Sequence, residues 1–253
     1  MRDSITSPSA EKKNKFFTIA KTANYIFLAW LILCFKITDE SKILSYVVNT
    51  NQQEIKLYYK NKNGQPYRSI QNLKNDVDSQ NKQLIFAMNG GMYQQDNSPL
   101  GLYIENKKLI APLNTKSGSG NFYLKPNGIF YIDTKNKPHV CTTKNFKNKN
   151  VKYATQSGPM LIIDGKINDA FKEGSQNLNI RNGVGIINDS TVVFAISKEE
   201  INFYDFAKFF QSIGCKNALY LDGFVSRAYV PEKKWLQTDG NFGVIIGITK
   251  AGK

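Results

Sequence analysis

A chain of 253 residues, 41% of them hydrophobic, is long enough to bury the core of one domain, so its composition excludes disorder over most of its length. The formal net charge of +14 is interpreted first as solvated surface lysine and second as affinity for anionic cell-envelope polymers; no recognised nucleic-acid motif and no Arg-rich helix is present, so we expect no nucleic-acid partner. Three cysteines and one histidine have no spacing typical of a zinc site, and we expect no metal and no other cofactor.

The first predicted element is an export segment. A polar, basic stretch over residues 1–15 precedes an uncharged apolar run over residues 23–35, which is shorter than the about 20 residues of a full membrane span. We predict that residues 1–37 are a signal peptide or an N-terminal membrane anchor; lipidation at Cys34 is the second alternative. All three place the remaining chain outside the cytoplasm, in the periplasm or cell envelope, because the basic start stays inside.

Residues 38–253 are predicted to form a single α+β domain, built on a mainly antiparallel, strongly twisted sheet with a few helices. The evidence is a series of short apolar runs separated by turn residues, with helical spacing in two places. The predicted strands and hairpins cover 43–59, 84–88, 100–104 with 109–113, 122–125 with 129–133, 160–163 with 166–167, 184–187 with 191–196, 218–221 and 242–249. The predicted helices cover 69–83 and 201–213.

Four polar segments of this domain carry the candidate chemistry. They are FAMNGGMY at 86–93, SGPMLIIDGK at 157–166, RNGVGI at 181–186 and LDGFVS at 221–226. Each segment by itself is typical of a strand next to an ordinary turn. In this order, however, the four segments resemble the phosphodiester glycosidase family, over residues 84–249. The resemblance implies a hydrolase that cleaves a sugar-1-phosphodiester or a related glycan linkage, with a carbohydrate or glycan phosphate as its substrate.

Two residues are the catalytic candidates. Asp222 follows the apolar run 218–221, and glycoside cleavage needs a carboxyl group, so we predict that Asp222 is the base or the nucleophile. Arg181 is assigned to the phosphate, because a guanidinium binds phosphate in a bidentate geometry. The resemblance places Asn89 and Gly91 in the site as well. The predicted substrate-binding residues are Asn89, Gly91, Ser157, Gly158, Ser226 and Arg227.

Two further expectations follow from these segments. Asn89, Ser157, Arg181 and Asp222 are expected to meet around one cleft at the ends of strands. Where the family commonly has two glycines, this chain has Phe224 and Val225, so we expect an apolar wall and an altered substrate preference. The alternative to an enzyme is a non-catalytic glycan-binding or cell-envelope scaffold domain on the same fold, since fold resemblance does not decide function.

Overall fold

Antiparallel pairing organises the part of the chain that the computed structural model describes, residues 42–222 and 225–252. In chain order the strands are β1 (Ile43–Asn49), β2 (Ile55–Tyr58), β3 (Lys82–Asn89), β4 (Tyr103–Glu105), β5 (Lys108–Ala111), β6 (Gly128–Asp133), β7 (Pro138–Thr142), β8 (Val151–Ser157), β9 (Met160–Ile163), β10 (Lys166–Ile167), β11 (Asn182–Asn188), β12 (Thr191–Ser197), β13 (Asn217–Tyr220), β14 (Ala228–Val230), β15 (Trp235–Leu236) and β16 (Ile245–Ala251). The helices are α1 (Ile70–Ser79) and α2 (Phe203–Ser212).

The strands form three sheets. Sheet I has six strands in the order β1-β12-β11-β13-β9-β10, sheet II has five in the order β15-β14-β3-β16-β2, and sheet III has five in the order β5-β4-β8-β6-β7. The α+β prediction is therefore met in part: the described residues hold two α-helices, and antiparallel sheet dominates them.

The three sheets share a central hydrophobic core. Phe194 of sheet I stacks on Phe86 of sheet II, with 5.0 Å between the ring centroids. The same Phe194 ring meets Phe130 of sheet III edge-on at 5.7 Å. All three rings are almost fully buried, so their burial and their ring geometry both stabilise the junction of the sheets.

Both predicted helices are confirmed, although each is shorter than its predicted range. Polar residues set where they begin: the Ser69 hydroxyl accepts a hydrogen bond from Asn72 N, and the Asn202 side chain accepts one from Asp205 N. Such N-caps satisfy backbone donors that a helix leaves unpaired. The helix α1 packs against β3, and α2 packs against β9 and β10. Within the described ranges, no helix is long and apolar enough to cross a membrane; the predicted export segment and Cys34 lie outside those ranges.

Most predicted hairpins are confirmed, and one is wrong. The segment predicted as a strand at 122–125 instead contains a 3-10 turn, Asn121–Tyr123, and β6 pairs with β7 and β8. The buried side chain of Asn127 explains the difference, because its amide donates to Phe122 O and its carbonyl accepts from the Thr143 hydroxyl. These bonds hold the Pro-Asn-Gly segment as a connection between separate elements rather than as the turn of a hairpin.

Candidate functional site

One strand from each sheet ends at the same place in the fold. The strand β3 of sheet II ends at Asn89, β8 of sheet III ends at Ser157, and β13 of sheet I ends at Tyr220, two residues before Asp222. Strand ends at a sheet rim are where a fold presents polar groups to a ligand. The hydrogen bonds of this region show how the three ends are joined around Asp222.

Two asparagines connect the end of β3 to Asp222. The Asn182 side chain accepts a hydrogen bond from Asp222 N at 2.8 Å, and its amide donates to Asn89 Oδ1 at 2.9 Å and to Asn89 O at 3.0 Å. Asn89 Oδ1 also accepts from Arg227 N at 2.8 Å. Both asparagines are buried, and the Nδ2 donor of Asn89 has no hydrogen-bond partner among the described residues. A buried donor without a partner is energetically costly to the fold.

Two serine hydroxyls fix the backbone on either side of the Asp222 amide. Ser157 Oγ donates to Leu221 O, and Ser226 Oγ donates to Asp222 O at 2.7 Å. Both serines are almost fully buried. The sequence predicted that these two serines contact the substrate. In this structure their hydroxyls instead bond to the protein backbone, and they position Asp222.

The two predicted glycines allow segments to pack without a side chain between them. A Cβ on Gly91 would lie 2.3 Å from Thr155 Oγ1 and 2.5 Å from Gln156 O, and a Cβ on Gly158 would lie 2.6 Å from Asn127 Cβ. Real Cβ atoms do not approach this closely, and the backbone oxygen of Gln156 cannot rotate away. Gly91 thus lets the end of β3 approach β8, which helps to bring the strand ends together.

Asp222 lines a cleft with a volume of about 360 Å³. The described part of its wall includes Tyr93, Gln94, Asn121 and Tyr123, and the Asp222 residue is 6% exposed. Burial raises the pKa of Tyr93 to about 12, and the Asp222 carboxylate adds to this increase. At neutral pH the cleft therefore presents a neutral phenol, which can donate a hydrogen bond, close to the carboxylate.

Arg181 makes its contacts inside the protein. Its residue exposure is 0%, its Nε donates to Ile201 O at 2.7 Å, and its Nη2 donates to Asn177 O at 2.7 Å. The guanidinium carbon lies 3.7 Å from the ring centroid of Phe203, and burial lowers the pKa of the Arg181 guanidinium. These contacts favour a positioning role for Arg181 over the direct phosphate contact that the sequence predicted.

Arg181 does reach the cleft through other residues. Its Nη1 donates to the Tyr220 hydroxyl at 3.4 Å. The Tyr220 hydroxyl also hydrogen-bonds the side chain of Asn121, and Asn121 lines the cleft beside Asp222. A buried cation thus supports a polar chain that ends at the wall of the cleft.

Arg227 and Val225 are not on the described part of the cleft wall. The Arg227 side chain, 33% exposed, donates from Nε to Asp239 Oδ1 at 2.8 Å. Val225 packs against the cluster that contains Tyr229 and Phe242, so the apolar wall predicted for it is not among the described lining residues. Phe224 lies outside the described ranges.

Tyr93, Asn121 and Asn182 belong to the site but were not singled out from the sequence. Tyr93 and Asn182 do lie inside two of the four segments. Asn182 directly follows Arg181, and Tyr93 comes a few residues after Asn89, so both were close to residues that the sequence did indicate. Asn121 had no such signal, because it lies in none of the four segments and directly precedes the predicted strand 122–125. Across residues 42–222 and 225–252 no group of three or more His, Cys, Asp or Glu residues could hold a metal ion.

Comparison with known proteins now adds to this geometry. The model of the phosphodiester glycosidase family matches residues 82–248. The chain belongs to the phosphodiester glycosidase family. The matched range contains the three strand ends, Asp222 and the described lining residues of the cleft that carry the candidate chemistry.

The chain is also similar to individual proteins of known sequence or structure. The uncharacterized protein YigE of Escherichia coli (strain K12) is 39% identical over 190 residues, which are 74% of this chain and 74% of that protein. The catalytic domain of zebrafish N-acetylglucosamine-1-phosphodiester alpha-N-acetylglucosaminidase, auto-inhibited by its pro-peptide, has a TM-score of 0.57 at 13% identity, covering 81% of this chain and 83% of that one. A putative exported protein of Burkholderia pseudomallei K96243 has a TM-score of 0.53 at 10% identity, covering 81% and 73%. The two structural matches, at 13% and 10% identity, show a shared fold alone.

Proposed function

We propose that this phosphodiester glycosidase family member is an extracytoplasmic hydrolase that cleaves a sugar-1-phosphodiester or a related glycan linkage. The observation that carries the proposal is the position of Asp222: this residue lines a cleft, and its backbone is held by Asn182 and Ser226. A fixed backbone restricts where the attached carboxylate can lie, which favours its use at an oxocarbenium-like transition state.

The bond that breaks in this proposal is the one between the anomeric carbon and the phosphate oxygen. The phosphodiester departs as a phosphomonoester, which is a weak base, so the reaction depends less on a strong general acid. Asp222 acts as the base that removes a proton from the attacking water, or as the nucleophile that forms a glycosyl-enzyme. The first role gives inversion at the anomeric carbon and the second gives retention.

The proposed activity is tested with an α-N-acetylglucosamine-1-phosphodiester, hydrolysed in ¹⁸O-labelled water. We expect the label in the released sugar, because attack at carbon leaves the phosphate oxygens unchanged. Label in the phosphate would contradict a glycosidase and indicate attack at phosphorus. The anomeric configuration of the first-formed sugar, followed by NMR, then assigns Asp222 as base or nucleophile.

One observation favours the alternative, a glycan-binding domain without catalysis. Asp222 is the sole acidic residue among the described lining residues of the cleft, whereas most glycosidases place two carboxyl groups at the bond that they cleave. A binding domain would retain affinity for the phosphodiester and release no sugar over many equivalents. The labelling experiment therefore also separates the two functions, because it counts turnovers.

Tyr93 is expected to assist the reaction as a neutral hydrogen-bond donor. We predict that Tyr93→Phe lowers kcat/KM by about a hundredfold, which is the effect of removing one preorganised donor from an active site. Because the raised pKa of about 12 keeps the phenol protonated, the ratio of wild-type to variant kcat/KM should stay constant between about pH 6 and pH 9. Steady-state kinetics over this range checks both statements.

The matched control for this change is Tyr131→Phe. Tyr131 stacks on His139 in sheet III and does not line the described cleft, so its loss of a hydroxyl should leave kcat/KM unchanged. An equal effect of both variants would remove the role assigned to Tyr93. A ratio that changes steeply within the pH range would show that the phenol ionises there.

The extracytoplasmic location is part of the proposal and rests on the predicted export segment, residues 1–37. We predict that the full chain fractionates with the cell envelope or periplasm, and that a variant lacking residues 1–37 stays in the cytoplasm as a folded, soluble protein. Fractionation and circular dichroism check these outcomes. A truncated protein that unfolds would show that the segment belongs to the core of the domain.

A further inference from the structure

A second compartment opens beside the cleft that Asp222 lines. It has a volume of about 620 Å³, and it shares Gln94, Leu100 and Tyr123 with the Asp222 cleft. Shared wall residues mean that the two spaces adjoin. The Asp222 cleft is near the lower end of the usual range for small-molecule sites, about 300–1,000 Å³, so a ligand longer than a sugar phosphate extends into the second compartment.

The second compartment is basic. Lys60 and Lys116 line it, and no Asp or Glu occurs among its described lining residues. The nearby Asp96 is exposed, and its pKa is lowered mainly by hydrogen bonds from Ser98, with a smaller contribution from Lys60. Lysines that line a concave wall attract anions, because the low-dielectric wall focuses their field.

Aromatic and apolar side chains complete the compartment. Tyr59 and Tyr123 line it, and the Lys60 ammonium lies 5.0 Å from the centroid of the Tyr59 ring. Ile110 and Leu113, which also line it, are 43% and 38% exposed. Flat apolar surface next to a cation suits a sugar ring that carries a phosphate, because the carbon-bound hydrogens of the ring pack on aromatic side chains while the phosphate meets the lysine.

We infer that this compartment is a subsite for the part of the substrate beyond the scissile phosphodiester. This part is a glycan that carries a further phosphate, in addition to the phosphate of the bond that is cleaved. The inference rests on the proposed function, because it takes the bond at Asp222 as the one cleaved. The basic charge decides the orientation: the anionic side of the substrate faces the lysines, and the neutral sugar remains in the smaller cleft.

The test compares two ligands that share the same scissile bond. The short one is the methyl phosphodiester of α-N-acetylglucosamine-1-phosphate; in the long one the same phosphate continues to an oligosaccharide with one further phosphate. We expect wild-type protein to prefer the long ligand and the Lys60→Gln, Lys116→Gln double variant to lose about fivefold to tenfold in kcat/KM for it. The kcat/KM for the short ligand should not change, and added salt should reduce the preference.

A matched control repeats the charge change elsewhere. Lys135 and Lys149 are exposed and lie near the start of β8, whereas Ser157 is at its end. The double variant Lys135→Gln, Lys149→Gln should therefore leave the preference for the long ligand intact. A second variant, Thr115→Trp, fills the compartment without changing charge and should also remove the preference. Equal losses for both ligands, or equal losses in both double variants, would overturn the subsite.

Binding separates this inference from the proposed function. The same ligands are titrated calorimetrically into the Asp222→Asn variant, which needs no turnover. The subsite is supported if Asp222→Asn binds the long ligand more tightly than the short one and if this difference disappears when Lys60→Gln and Lys116→Gln are added to it. This support holds even where wild-type protein releases no sugar. Equal affinity for long and short ligands would overturn the subsite whether or not the enzyme is active.

Discussion

Replacing Asp222 with Asn is expected to lower kcat by about 10²- to 10⁴-fold, the typical contribution of a catalytic acid or base. Asn has nearly the same shape but lacks the charge that an oxocarbenium-like transition state requires. The backbone bonds of this position, from its N to Asn182 Oδ1 and from Ser226 Oγ to its O, do not depend on the side chain. The fold and the affinity for substrate should therefore be retained. Single-turnover kinetics measures the rate of the chemical step, and titration calorimetry measures the affinity for substrate separately.

The control for this prediction is Asp164→Asn. Asp164 lies in the exposed turn after β9, where its N donates to Asn217 Oδ1 at the start of β13, so it is at the other end of that strand from Asp222. Its backbone φ is 49°, a left-handed conformation that Asn accepts readily. We expect full activity from this variant. Full activity in Asp222→Asn with unchanged binding would remove the proposed mechanism, because the Asp222 carboxylate would then be neither the base nor the nucleophile.

The elements that the sequence predicted correctly have a clear apolar pattern. The hairpin of β11 and β12 reads as two apolar runs around an Asn-Asp-Ser turn, and α2 shows helical spacing of phenylalanines. The missed strand β8 ends in Thr155, Gln156 and Ser157, which are polar and yet buried. Buried polar residues need specific partners: Gln156 Oε1 accepts from Leu102 N and from a second backbone donor, both at 2.9 Å. Such partners are distant in sequence, so no local pattern reveals them.

The site shows the same limit. Its segments could be found from the sequence, because polar residues and glycines follow strands in a family order, and Asp222 was identified in this way. The division of labour could not be found, because a hydroxyl or an amide can serve a ligand or the backbone equally well. Ser157 and Ser226 bond to carbonyls on either side of the Asp222 amide. Where a chain leaves a sheet, its backbone groups lose their ladder partners, and these side chains replace them.

Arg181→Lys is expected to destabilise the protein by roughly 3 kcal/mol, the scale of breaking a buried charged network. The guanidinium donates in separate directions to Ile201 O, Asn177 O and the Tyr220 hydroxyl. It also stacks over the ring of Phe203. The compact ammonium of lysine lacks the planar fork of donors and cannot make these contacts together. It therefore leaves buried acceptors unpaired and is itself poorly solvated. Urea denaturation followed by fluorescence measures the loss.

Arg227→Lys is the matched control, because it makes the same substitution at a surface ion pair. Arg227 is 33% exposed and its partner Asp239 is 64% exposed, and such pairs contribute less than about 1 kcal/mol. We expect the free energy of unfolding to change little in this variant. If Arg181→Lys keeps its stability and instead raises KM for the phosphodiester, while affinity for the free sugar is unchanged, the guanidinium binds phosphate directly. If stability falls and the remaining folded protein keeps its KM but has a lower kcat, Arg181 acts as a positioning residue: it holds Tyr220 and thereby Asn121 at the wall of the cleft.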